Sequence, residues 1–147
     1  PPPPTRDAPP EVNQVQIFLI ALEDNGASGE MIGCGDSLIA VDVSIQPTTH
    51  PLRSALEALL QAGGPTYGES GLYNALHASN LTLDSIEVVN GEASVHLSGE
   101  FSLGGVCDNP RIQAQLEQTA LQFDEVDTVT FFINDVNLNE VLSGRGE

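Results

Sequence analysis

Lysine and tryptophan are absent from this 147-residue chain, and its only fixed cations are four arginines, Arg6, Arg53, Arg111 and Arg145. Against them stand 21 acidic side chains, for a formal charge of -17. Phosphate binding needs clustered Lys or Arg, and these arginines are scattered, which excludes DNA, RNA and anionic lipid surfaces as partners. Long hydrophobic runs are missing too. The longest, Ile17 to Leu22, holds six residues, against the roughly 20 needed to cross a bilayer, so no direct membrane insertion by this chain is expected. Aromatic residues contribute only 5%. What remains, 40% hydrophobic residues and a mean hydropathy of -0.04, is still enough for a packed core, unlike a disordered acidic tail. The length suits one domain.

Residues 1–11 carry six prolines and no apolar periodicity, which reads as an extended Pro-rich linker outside the fold. From Val12 the pattern alternates, with Val15, Ile17, Leu19 and Ala21 to one side, and predicts a strand to about Leu22. A turn-rich stretch, Glu23 to Asp36, precedes a second strand, Leu38 to Ser44, with Leu38, Ala40 and Val43 inward. Pro51 opens a helix that carries Leu52, Ala55, Leu56, Leu59 and Leu60 at helical spacing and stops at Gly63-Gly64-Pro65. A short helical turn is expected around Leu72 to Leu76. Leu81 to Val89 then alternates with a slip at Asp84-Ser85, the mark of a bulge. Asn90-Gly91 signals a tight hairpin into Ala93, Val95 and Leu97. Asn109-Pro110 opens the second helix, with Asn109 as cap and Ile112, Leu116, Thr119, Ala120 and Phe123 on one face. Asp127 to Ile133 forms the last strand. The order ββαββαβ predicts an α+β domain over 12–142, with two helices on one face of a mostly antiparallel five-stranded sheet and a short tail at 143–147.

Those elements, with particular residues in them, resemble the GerMN domain of bacterial sporulation and spore germination proteins. The resemblance rests on the helix Pro51, Leu52, Ala55, Leu56, Leu59, Leu60 ending at Gly64-Pro65, and on Gly71-Leu72. It continues through Leu83 to Val89, Asn90-Gly91, the run from Ala93 to Ser98, Glu100-Phe101 and the Gln- and Leu-rich helix leading to Val129 to Ile133. It implies a fold similar to the ring-building modules of secretion and sporulation channels. It also implies an extracytoplasmic setting, commonly reached through a lipoprotein or membrane tether, and a non-enzymatic role in envelope assembly. A proline-rich spacer is consistent with a signal or lipoprotein anchor upstream of Pro1, and equally with an ordinary linker.

Cys34 and Cys107, the only cysteines, both sit in glycine-rich loops beside predicted elements. A bond between them would close a long loop and stabilise the fold by roughly 4 kcal/mol in the chain-entropy picture. We expect that disulfide and the oxidising compartment it needs; the alternative is two unpaired thiols in a reducing one. No metal or cofactor is expected. His50, His77 and His96 lack the short spacing of a zinc site, and His96 belongs with Ser94 and Ser98 on the outer face of its strand. Glu23, Asp24, Glu30 and Asp36 raise a calcium-binding reading, but the alternating Asp pattern of a calcium loop is missing. Ser70, in Gly68-Glu69-Ser70-Gly71, follows a helix rather than the strand a nucleophile elbow requires. Tyr67, Tyr73 and Phe18 read as partial core or contact residues.

No catalytic set is expected. The leading expectation is an extracytoplasmic interaction module of the cell envelope, with a protein partner or self-association through a sheet edge or open face and no small-molecule ligand. Asp127 to Ile133 is a candidate edge, the alternative being a central strand covered on both edges, as the family fold implies. The alternatives are a cell-wall hydrolase or an accessory domain of one, and a small-ligand or calcium-binding module.

Overall fold

The computed structural model describes residues 11–62, 66, 71–102 and 106–142. Its elements run β1 (Val12–Ala21), β2 (Glu30–Ile32), a 3-10 turn (Gly33–Gly35), β3 (Asp36–Thr48), α1 (Pro51–Gln61), β4 (Asn80–Val89) and β5 (Glu92–Glu100). They end with α2 (Asp108–Leu121), β6 (Thr128–Ile133), β7 (Val136–Asn137) and α3 (Leu138–Leu142). The α+β class holds, but the single five-stranded sheet does not. The strands form one sheet of order β1-β3-β2 and a second of order β4-β5-β6-β7. Every pairing is antiparallel except β5 with β6.

The reason for two sheets lies in the helices. α1 buries Leu52, Ala55, Leu56 and Leu59 and rests Ala58, Leu60 and Ala62 against the same core, so apolar residues occupy most of its circumference. A helix apolar on more than one stripe must be covered from more than one side. Accordingly α1 packs on both β1 and β4, and α2 on both β1 and β6, with the helices touching each other between the sheets. One core joins Ile17 and Leu19 from the first sheet, Val95, Leu97, Phe131 and Ile133 from the second, and Leu56, Ile112 and Leu116 between them.

Local signals mostly hold. Asn90 and Gly91 take φ of 52° and 84°, both positive as the two-residue hairpin turn requires. The β4–β5 register shifts between Leu83 and Ser85, at the expected bulge. Asn134-Asp135 makes a second positive-φ turn, at 52° and 69°, into β7.

Four expectations change. The loop after β1 contains β2, and β3 begins at Asp36 and runs to Thr48. On β3 Leu38 is buried while Ala40 is exposed, and it is Val41 and Val43 that rest on the core, because cross-strand partners Ile17 and Val41 share the helix-facing side. Asn109 does not cap α2: it lies inside the helix, and its Nδ2 donates to the Leu142 carbonyl at 2.6 Å, tying α3 to the helix start. Ala75 to Ala78 form hydrogen-bonded turns rather than helix. The Gly63-Gly64-Pro65 stop and the tail at 143–147 lie outside the described residues, as does nearly all of the linker at 1–11.

Candidate functional site

The edges of β1, β3, β4 and β6 and one sheet face could receive a partner, and they differ in how far the protein covers them; β4 ends the second sheet, paired only with β5 among the described residues, with Arg53 Nη2 donating to its Leu83 carbonyl at 3.4 Å. The outer edge of β1 is closed by side chains. Gln122, at the C-cap of α2, accepts from the Gln16 N–H through Oε1 at 3.0 Å and donates to the Gln16 carbonyl through Nε2 at 2.6 Å, so its amide group stands in for a neighbouring strand. Two residues on, Gln115 Nε2 donates to the Phe18 carbonyl at 2.9 Å. Two further on, Ile20 exchanges both backbone bonds with Tyr73, at 2.9 and 2.7 Å. Gln16 and Ile20 are thus bonded through both backbone groups and Phe18 through its carbonyl, which blocks the pairing template that an open edge presents.

The edges of β3 and β6 are treated otherwise. β2 covers β3 only at Asp36, Ser37 and Leu38, and among the described residues no strand pairs with that side of Ile39 to Thr48. The expected edge at Asp127 to Ile133 is partly taken: β6 lies inside its sheet, with β5 along its length and β7 opposite Phe132 and Ile133. The outer face of the second sheet carries Ser94, His96, Ser98, Thr130 and Phe132, all at least partly exposed. His96 stacks on Phe132 with ring centroids 4.7 Å apart and planes 11° from parallel. Ser98 Oγ donates to Asp84 at 3.0 Å on the same face.

Beneath these surfaces a polar knot joins the two loops that carry the cysteines. Cys34 and Cys107 are bonded, as expected from their loop contexts, with Cα atoms 6.0 Å apart. Arg111 Nε donates to Asp36 Oδ2 at 2.7 Å and its Nη1 to Asp108 Oδ1 at 3.0 Å. Both carboxylates are almost wholly buried. The Tyr73 hydroxyl donates to Asp108 at 3.0 Å, and the Arg111 guanidinium lies 5.1 Å from the centroid of the Tyr73 ring. Burial, then the hydrogen bond to Asp108, raise the Tyr73 pKa. For Arg111 burial alone would act downward, but the hydrogen bonds it donates to Asp36 and Asp108 outweigh it and hold the guanidinium above its ordinary value. The knot fixes the end of the 3-10 turn, the start of α2 and the segment around Tyr73 in one place.

The residues weighed for chemistry do not converge. His50 is exposed at the start of α1, His77 packs edge-on against Tyr73 at 5.6 Å, and His96 sits on the outer face. Of the loop acids, Asp24 accepts from the Ser28 N–H at 2.6 Å and from Ser37 Oγ at 2.9 Å, while Asp36 is held by Arg111 and the Glu23 N–H. The Ser28 amide and then the Ser37 hydroxyl lower the Asp24 pKa below 3.8. Among the described residues no three His, Cys, Asp or Glu side chains are grouped to hold a metal ion. Ser70 and Tyr67 lie outside the described residues; Phe18 is half-buried on β1. The spacing arguments overlooked Arg111, Gln115 and Gln122. The available signals were an aspartate within two residues of each cysteine and two glutamines one heptad apart on the same helix.

Residues 29–139 match the family model described as "Germane: Sporulation and spore germination". No curated protein matches the chain. Among solved structures, the first GerMN domain of the sporulation protein GerM from Bacillus subtilis is 22% identical, with 86% of each chain covered and a TM-score of 0.61. The tandem GerMN domains of the same protein are 20% identical with a TM-score of 0.61; the match covers 86% of this chain and 40% of the tandem chain. At these identities the structures speak for the fold, the two-sheet arrangement with helices between. The family match spans well over half of the sequence, and the chain therefore belongs to the Germane family of sporulation and spore germination domains.

Proposed function

We propose that this chain is a non-enzymatic protein-interaction module that works outside the cytoplasm, in the bacterial cell envelope. The observation that carries the reading is the unequal treatment of edges. Gln115, Gln122 and Tyr73 cover the free side of β1, while among the described residues no strand pairs with the outer side of β3 from Ile39 to Thr48. A fold that covers one edge with glutamine amides has the means to cover another, so an open edge marks a surface kept for pairing. The compartment is supported by the Cys34–Cys107 disulfide, since such bonds persist in oxidising surroundings. Family membership supports an envelope role in assembly.

Two measurements in the source organism test the reading. Acid-quenched alkylation of cells should find both cysteines blocked until reductant is added. Photo-crosslinkers placed singly across both sheet faces and all open edges of the full-length protein should give discrete adducts with a protein partner at a contiguous set of positions. Free thiols in cells, or no discrete adduct from any surface position, would remove the proposal.

A further inference from the structure

We propose that the open edge of β3, together with the groove between it and α1, is a strand-addition site for a basic partner. It would take an extended segment with apolar side chains at alternate positions and lysine or arginine between them. This deepens the interaction reading above and rests on it.

The direction of the free backbone groups follows from register. In an antiparallel ladder the N–H and C=O of one residue point to the same side, and successive residues alternate. Gln16, Phe18 and Ile20 point away from β3, toward Gln122, Gln115 and Tyr73. Val15, Ile17 and Leu19 therefore point toward β3, where they oppose Val43, Val41 and Ile39. Ala40, Asp42 and Ser44 must then aim their backbone groups away from β1, and β2 has already ended at Leu38. Three consecutive pairing positions stand open on one straight stretch.

A groove of about 530 Å³ adjoins the Ser44 end of this stretch on the helix side, walled by Val43 and Ile45 of β3 and by Ser54, Glu57, Ala58 and Ala62 of α1 and its end. A strand added to β3 lies about 4.8 Å from it and turns every second side chain to the same face. Those side chains would enter the groove, where Ser54 and Ala58 are short enough to leave room. The intervening side chains would lie on the opposite face, with Asp42 and Ser44. Backbone pairing supplies affinity in this mode, and the groove supplies selectivity for alternate apolar residues.

Charge decides between a second copy of this chain and another protein. Asp42 stands at the edge, and Glu57 is on the groove wall, where its partner Arg53 at 3.4 Å makes only an exposed pair. The whole chain carries -17 and has no lysine, so a second copy would bring repulsion and few cations. A basic segment is attracted by the same field. Pro47, which has no N–H to offer, limits the site toward the end of β3.

The test uses the full chain and a capped eight-residue peptide of alternating valine and lysine, followed by fluorescence anisotropy at low and physiological salt and by amide exchange. Binding should slow exchange of the Asp42 and Ser44 amides at least tenfold and leave Gln16 unchanged. Ser44→Pro, which deletes an outward N–H and spares the ladder to β1, should weaken binding at least tenfold. Ala58→Trp, which fills the groove, should do the same. A peptide of the same composition with four valines followed by four lysines should bind at least tenfold less well. Equal binding of the two peptides, no binding, or protection on another edge would overturn the proposal, and the exchange measurement decides even if a variant fails to fold. In cells, crosslinks from other surfaces with none from positions 44 or 58 would sink this site and leave the interaction module standing. No crosslink from any position would sink the module itself.

Discussion

Replacing Arg111 with methionine removes the charge from the polar knot while keeping most of the side chain's apolar stem. Two carboxylates then lose their cation: Asp36, 0% exposed, and Asp108, 2% exposed. Asp36 keeps the Glu23 N–H at 3.0 Å, and Asp108 keeps the Tyr73 hydroxyl at 3.0 Å among its donors. Breaking a buried pair from one side costs about 3–5 kcal/mol, because the remaining charge is left in a poorly solvating interior. Loss of the guanidinium beside the Tyr73 ring adds about 0.5–1 kcal/mol, and the retained donors offset a similar amount. The expected loss at pH 7 is therefore about 3–5 kcal/mol, read from urea unfolding with an unchanged m-value. Arg111→Lys should recover only part of it, since one ammonium does not reproduce the fork that reaches both carboxylates. Adding Asp36→Asn to Arg111→Met removes one orphaned charge, so the double variant should be less damaged than the sum of the singles by about 1–3 kcal/mol. A loss below about 1 kcal/mol for Arg111→Met would refute the reasoning and place the knot among solvent-screened surface pairs.

The other expectations are simpler. Removing the disulfide with Cys34→Ser and Cys107→Ser frees a loop spanning 73 positions, worth about 4 kcal/mol in unfolded-chain entropy; at about 2 cal/mol/K per residue this lowers Tm by about 14 °C by calorimetry, and a change under 3 °C would sink the estimate. Gln122→Ala deletes both bonds to Gln16 and should cost about 1–3 kcal/mol in urea unfolding, with faster exchange of the Gln16 amide; an unchanged exchange rate would mean the edge has another cover. Asp24 has a folded-state pKa depressed below 3.8, so its contribution is present above that value and lost as pH falls through the folded one. Exchange protection of the Gly26 and Ser28 amides should thus differ between the parent and Asp24→Asn at pH 6, with the gap closing as pH falls through the depressed folded-state value; a gap independent of pH would show that the Asp24 charge plays no part.

The sequence by itself determined whatever depends on neighbours a few residues apart. Asn90-Gly91 makes its turn because positive φ is a property of those two residues, and the slip at Asp84-Ser85 becomes a bulge because side-chain alternation has a period of two. Leu52, Ala55, Leu56 and Leu59 lie on one stripe of α1 because 3.6 residues complete a turn. The Cys34–Cys107 pairing was legible from context, as the chain holds no competing thiol. Partition of the strands was not, since periodicity reports that a strand has two faces and says nothing of which sheet it joins. That was settled when α1, apolar over most of its circumference, took a sheet against each side, and α2 packed on β1 and β6 beside it. The same limit hid the surfaces. Gln122 and Gln115 read as ordinary polar positions on a helix, and Arg111 as one of four scattered arginines, until packing brought α2 against the edge of β1 and against Asp36, 75 residues away in the chain. Which edge is closed and which stays open depends on contacts between distant segments, and those exist only once the core has chosen its layers.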